Sequence, residues 1–165
     1  MNALTIANAR IVDPASGFDG IGSLRVANGE IAALVPGAAE PVSGGEVIDA
    51  KGLVLAPGLI DMRVLTGEPG REYRETLQSA GEAAAAGGVT SFVAMPDTQP
   101  VIDDGALVDY LLRRARATCR VNVLPAAAIT KGLDGEELTE FGLLKEAGAV
   151  GLSDGRRSVQ SSALL

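Results

Sequence analysis

The sequence predicts an α/β protein, in which a small antiparallel sheet precedes a parallel sheet dressed with helices. Three observations carry this. Before residue 57, short β-type runs are separated by Gly, Asn and Pro turns; after it, apolar runs of strand length alternate with helical patterns. Asn28-Gly29 joins two of the early runs, and both residues tolerate positive φ, which marks a two-residue hairpin. The expected division is therefore residues 1–56 and 57–165. Alternating strands and helices build a parallel sheet that is either doubly wound or closed as a barrel.

In the first part, strands are expected over Leu4 to Ile6, Arg10 to Val12, Ser23 to Val26, Glu30 to Val35, Val47 to Asp49 and Leu53 to Leu55, with Pro41 to Gly45 as a loop. In the second part, Leu59 to Val64 reads as a buried strand. A helix follows from about Glu72 to Ala86, stopped by Gly87-Gly88. Val89 to Met95 is the next strand. Asp103 or Asp104 caps a helix that carries Leu107, Val108, Leu111, Leu112 and Ala115 on one face. Val121 to Ala127 is a third strand. Glu136 to Ala147 is a third helix, with acids at its start, Lys145 near its end and Gly148 beyond it. Ala149 to Leu152 opens a fourth strand, and Ser161 to Leu165 reads as the start of another helix.

Composition narrows the class. A chain of 165 residues, 47% hydrophobic, buries a real core, and with aromatics at 3% and no Trp that core is expected from Ala, Val, Leu and Ile. The net charge of -7, with no basic patch, argues against nucleic acid and anionic membrane surfaces as partners. No apolar run approaches the roughly 20 residues of a membrane span, and no signal-peptide pattern opens the chain. The lone Cys119 reads as a small buried hydrophobe in a reducing, cytoplasmic setting. No GxGxxG or GxxxxGK[ST] follows any strand, so a nucleotide-binding sheet lacks its phosphate loop.

The densest motif runs from Pro57 to Gly70, PGLIDMRVLTGEPG. Residues i and i+2 of a strand project to one side, so Arg63 and Leu65 share one face at its end. An arginine stays protonated and has no free lone pair, and leucine offers no donor. The chain has no histidine.

This run resembles the signature of the dihydroorotases and the wider cyclic amidohydrolase family, where PGLID leads into His-x-His and then Arg-Glu-Pro-Gly. The resemblance continues in ETL at 75–77, AAAAGGVT at 83–90, MPDTQPVID at 95–103 and GLDGEELTEFGLLKEAGAVGLSDG at 132–155. It implies a partial (β/α)8 TIM barrel of about four βα units, preceded by a small antiparallel β-sandwich portion. A full barrel takes roughly 250 residues, so the chain reads as the N-terminal half of such a protein, a truncated frame or fragment. The alternative is a self-sufficient half-barrel completed by a second copy.

The resemblance also places a site. In the family, two His of the first strand bind zinc, here Arg63 and Leu65, and Asp154 falls at the position of a metal-bridging Asp. The family's substrate-binding Arg and Asn correspond to Gly67 and Asp97. Zinc is the family's cofactor, and none is expected for this chain. Glu68-Pro69-Gly70 is intact and reads as a loop-shaping element. Two further expectations concern charge: Asp61, Glu68, Asp97 and Asp154 are candidates for an all-oxygen cation site, or Arg63 replaces the metal charge by pairing with Asp154.

The implied function is that of a dihydroorotase-family protein of pyrimidine biosynthesis, whose family reaction closes N-carbamoyl-L-aspartate to dihydroorotate, with this chain itself expected to be non-catalytic. Alternatives are a structural partner of aspartate transcarbamoylase and a hydantoinase-like amidohydrolase. Aspartate transcarbamoylase and self-association are the expected partnerships.

Overall fold

The computed structural model describes residues 3–37 and 45–164. Residues 41–44 of the expected Pro41–Gly45 loop lie outside the described residues, as does Leu165. The chain divides into two compact units, Met1–Pro57 and Gly58–Leu165.

The first unit is one sheet of β1 (Ala3–Asp13), β2 (Phe18–Ala27), β3 (Glu30–Pro36), β4 (Glu46–Asp49) and β5 (Val54–Leu55). Strands β1, β2 and β3 form an antiparallel meander, and Asn28 and Gly29 turn between β2 and β3 at φ 54° and 81°. The expected runs at Leu4–Ile6 and Arg10–Val12 are a single strand, because the break between them is a bulge. Asn8 takes φ 61° there, and its amide donates to Asp49 Oδ1 at 2.9 Å. Strands β4 and β5 both pair with β1 in parallel, which the turn signals do not reveal. Ala9, Ile11 and Ala50 form a small core, with Ile6, Phe18, Leu34 and Leu55 against it.

The second unit is a parallel sheet in the order β6 (Leu59–Val64), β7 (Val89–Ala94), β8 (Asn122–Ala127) and β9 (Gly151–Leu152). Its helices are α1 (Leu77–Ala86), α2 (Gly105–Thr118) and α3 (Phe141–Glu146), with a short 3-10 turn at Lys131–Leu133. This is the expected partial barrel. Alternation along the strands separates two layers. Phe92, Ala94, Val123 and Ala127 face the helices and pack with Leu77, Ile102, Val108, Leu111 and Leu144, while Val93, Met95 and Ala126 form a separate cluster with Leu124. Phe92 is fully buried, so the aliphatic core contains one aromatic that composition alone did not place.

The helix ends show which local signals govern. Helix α1 starts at Leu77 and not at Glu72, because Thr76 and Ser79 close a reciprocal capping box there while Glu72 takes the Gly70 N–H. Asp104, not Asp103, caps α2 by accepting the Ala106 N–H. Helix α3 starts five residues after the expected Glu136, at Phe141. The intervening chain is tied back to the end of β8 by Thr139 N–H on Ile129 O and Lys131 N–H on Glu137 O. It ends at Gly148, φ 108°, where Gly148 and Ala149 N–H groups take the Lys145 and Leu144 carbonyls. The segment Ser161–Leu164 is a turn and not the start of a helix.

Strand β6 departs from expectation in its burial. It pairs only with β7 among the described residues, and Leu59, Ile60 and Met62 are 62%, 62% and 70% exposed. No helix among the described residues is long and apolar enough to cross a membrane.

Candidate functional site

Because β6 to β9 run parallel, their C-terminal ends open on one side, and the loops that follow carry the polar side chains. Arg63 lies at the end of β6, Asp97 beyond β7, Thr130 beyond β8, and Asp154 to Arg157 beyond β9. Arg63 Nη2 donates to Gly155 O at 3.1 Å, linking the first and last strand ends. Four flat strands would hold those ends about 14 Å apart, so the link requires a curled sheet. At its own end the β6 ladder is irregular, since Asp61 Oδ1 takes the Arg63 N–H at 2.9 Å and the register slips between Asp61 and Val64.

Asp154 is 3% exposed and both of its carboxylate oxygens accept hydrogen bonds. Oδ1 accepts the Ile129 and Thr130 N–H groups at 2.8 and 2.9 Å, and Oδ2 accepts the Thr130 hydroxyl at 2.6 Å. The expected Arg63–Asp154 pair is not formed, because backbone donors and one hydroxyl already compensate the buried charge. Asp154 thus braces the β8 loop against the β9 loop.

Gly67 is buried where the β6–α1 loop doubles back, with Arg71 N–H on Gly67 O at 2.6 Å. A Cβ there would lie 2.3 Å from Arg71 O and 2.5 Å from Glu75 O. Glu68, beside it, is 2% exposed; its Oε2 accepts the Leu77 N–H that opens α1, and its Oε1 accepts Arg114 Nε from α2. Burial first, and the Glu68 charge second, push the neighbouring Tyr110 hydroxyl up. Gly70, φ 92°, leaves no room for a side chain against Gln99 O, and Gln99 N–H donates to Pro69 O at 3.0 Å. Glu68-Pro69-Gly70 therefore fastens the β6 loop to α1, α2 and the β7 loop.

Asp97 is the other notable carboxylate. Its side chain is 10% exposed, and Oδ2 has no hydrogen-bond partner, with Arg156 Nε 3.7 Å away. Gly155, φ 63°, lies against it: a Cβ there would be 1.9 Å from Asp97 Oδ1. Asp97 lines a cleft of about 240 Å³ together with Leu65, Gly67, Arg71, Arg74, Glu75 and Arg156. Asp61, Glu68, Asp97 and Asp154 each have separate contacts, so the expected all-oxygen cluster is not assembled. Among the described residues, no group of three or more His, Cys, Asp or Glu is arranged to hold a metal ion.

Away from this face, Cys119 is half-buried against the core, and its thiol donates to Leu77 O at 3.0 Å. Desolvation pushes its pKa up, which suits a packing role over a reactive one.

Residues 52–165, the whole of the second unit and the six residues before it, match the dihydro-orotase-like family. The chain belongs to this dihydroorotase-like family. It is 46% identical to a dihydroorotase of Solibacter usitatus over 92% of its own length and 35% of that protein's, and 46% identical to one of Geobacter metallireducens over 98% and 38%. The chain thus spans little more than a third of the length of these relatives. Among solved structures, L-hydantoinase from Arthrobacter aurescens matches with a TM-score of 0.79 at 24% identity, covering 92% of this chain and 32% of that one. A crystal structure of a dihydroorotase matches at 0.55 and 12%, over 92% and 42%. The dihydroorotase-like chain thus shares its fold with the cyclic amidohydrolases.

The residues at the end of β6 do not fit a zinc ion. Arg63 brings a positive charge, Leu65 brings none of the required lone pairs, and both oxygens of Asp154 are already hydrogen-bonded to Ile129 and Thr130. Sequence reasoning missed the arginines of the cleft, Arg71, Arg74 and Arg156. The available signals were the Arg-x-x-Arg spacing just after Glu68-Pro69-Gly70 and the Arg156-Arg157 pair just after Asp154-Gly155.

Proposed function

We propose that this chain is a dihydroorotase-family protein of pyrimidine biosynthesis that does not itself interconvert N-carbamoyl-L-aspartate and dihydroorotate. Its role is structural, with aspartate transcarbamoylase as the partner. One observation carries this reading: the end of β6 presents Arg63, committed to the Gly155 carbonyl, and Leu65, so the strand end is a cationic brace in place of a metal grip. A guanidinium there repels a divalent ion, and without an ion no bound water is activated for amide chemistry.

The test is metal analysis and turnover of the purified chain supplied with zinc. Less than a tenth of a zinc per chain and no cyclisation above the uncatalysed rate are expected. About one zinc per chain with turnover abolished by a chelator would overturn the reading. Co-sedimentation with aspartate transcarbamoylase from the same source tests the partnership, and separate migration at micromolar concentrations would reject it.

A further inference from the structure

We infer that the cleft between the end of α2 and the start of β8 binds a small anionic amphiphile, a carboxylate carried on an unbranched hydrocarbon tail. The inference goes beyond the proposed function, because this cleft lies at the N-terminal ends of the parallel strands, away from Arg63, Asp97 and Asp154 at their C-terminal ends.

The register of the sheet opens the cleft. Strand β8 pairs with β7 from Asn122 to Pro125, but with β9 only at Ala126 and Ala127. Gly148, just past the end of α3, lies against Leu112, and α2 continues beyond that contact to Thr118. The last turn of α2 and the first half of β8 therefore extend past the neighbours that would cover them. Between them is a cleft of about 380 Å³, within the roughly 300–1,000 Å³ of small-molecule sites.

Two kinds of surface meet in it. Leu112, Ala115, Val121 and Val123 line it with hydrocarbon, and Arg116 and Arg120 line it with charge. Neither arginine has a side-chain hydrogen bond or ion pair among the described residues, whereas Arg113 and Arg114 of the same helix are engaged with Asp109 and Glu68. No acidic residue is among those lining the cleft, in a chain that holds 21 acids against 14 bases. The carbonyls that end α2 carry about half a negative charge, so two guanidiniums leave the cleft positive. An inorganic anion would satisfy the arginines and leave the apolar wall wet, while a neutral hydrocarbon would do the reverse. A carboxylate with a tail matches both, since a guanidinium with a free fork takes a planar carboxylate in bidentate fashion and the tail removes apolar wall from water.

The experiment is isothermal titration of the full chain with decanoate, octanoate and hexanoate, and with decyltrimethylammonium as the cationic counterpart. Saturable binding of one decanoate per chain is expected, with affinity falling about two- to fourfold for each methylene removed. The cation should bind at least about tenfold more weakly. Cys119 lines the same cleft and is the chain's one thiol, so bound decanoate should slow its alkylation by iodoacetamide in proportion to occupancy. Arg116→Gln with Arg120→Gln, both at exposed positions, should weaken decanoate about tenfold while leaving the thermal melt in place. Ile60→Lys with Met62→Lys should leave binding unchanged, because β6 is separated from β8 by β7. No saturable binding of decanoate would overturn the inference, as would equal binding of the cation or unchanged affinity in the Arg116→Gln, Arg120→Gln chain. Cys119 alkylated at full rate under saturating decanoate, or binding lost with the two β6 substitutions in a chain that still melts cooperatively, would place the amphiphile elsewhere and overturn it too.

Discussion

Glu68 and Arg114 meet across 46 residues of sequence, with Arg114 Nε donating to Glu68 Oε1 at 2.5 Å while Glu68 Oε2 holds the Leu77 N–H at 2.9 Å. One carboxylate thereby joins the β6 loop, the N-terminus of α1 and the face of α2. Its charge is favoured twice, by a guanidinium and by the positive end of a helix. The partners differ in burial, Glu68 being almost wholly enclosed and Arg114 side chain 42% exposed.

That asymmetry sets an order of damage. Arg114→Ala leaves a buried carboxylate without its cation, whereas Glu68→Gln leaves an arginine that water can still solvate. Arg114→Ala should therefore lower the urea midpoint more than Glu68→Gln, and the double variant should recover part of the loss. Glu68→Ala, which also orphans the Leu77 N–H, is expected to cost about 3 kcal/mol, at the low end for breaking a buried pair. Equal and additive losses for the two single variants would contradict the coupling.

At Gly67, an introduced arginine should not create binding of a substrate carboxylate. The position is closed by the Arg71 and Glu75 backbone, with a Cβ at 2.3 Å from Arg71 O. Gly67→Ala should destabilise by about 1–3 kcal/mol through overpacking, and Gly67→Arg by more. A Gly67→Arg chain melting with the parent, and binding dihydroorotate more tightly, would show that this loop rearranges.

Much of the fold was legible because its signals are local. Asn28-Gly29, the capping Asp104 and the Gly148 stop each act within a few residues, and each element they mark is present. What was not legible depends on distant partners. The acids at 136 and 137 suggested a helix start, yet Lys131 pairs with Glu137 and the Thr139 N–H is taken by Ile129 O, holding that stretch as a loop. The site follows the same rule. Arg63 and Leu65 could be placed at a strand end from sequence, but no spacing rule brings Arg156 to Asp97, or Thr130 to Asp154, across 59 and 24 residues (156 minus 97, and 154 minus 130).

Installing histidines at the strand end should not create a zinc site in this chain. Arg63→His with Leu65→His supplies two ligands, fewer than the three or four zinc takes from proteins, and the oxygens of Asp154 remain bound to Ile129 and Thr130. Equilibrium dialysis of the double variant should show less than one tenth of a zinc per chain at micromolar metal. Stoichiometric uptake would mean that Asp154 is released from its brace.

The first unit should weaken in acid. Asp13 is held below the usual carboxylate range by the Ser16 hydroxyl and the Ala15 N–H, Asp19 by the Arg10 guanidinium, and Asp49 by the Asn8 amide and the Lys51 N–H. A depressed folded-state pKa contributes stability that is complete above the unfolded value, near 4, and disappears as pH falls through the folded one. The melting temperature of this unit should be flat from pH 8 to 6 and fall below about pH 4. Hairpin amide signals that persist unchanged at pH 2.5 would argue against a structural role for these contacts.

Self-association is the expected solution behaviour of the 165-residue chain. Parallel sheets normally have both faces covered and their edges managed. Here β6 exposes Leu59, Ile60 and Met62, and at the opposite end of the sheet Val150 and Leu152 are 54% and 38% exposed. Strands β6 and β9 are the two outermost of the sheet, each pairing with one neighbour among the described residues. Light scattering and sedimentation should therefore show dimers or larger species at micromolar concentrations. Ile60→Lys with Met62→Lys on the edge strand should shift the distribution toward monomer while leaving the α1–α2 core intact. A monodisperse monomer with a cooperative melt in the unmodified chain would show that the exposed strand is stable without a partner.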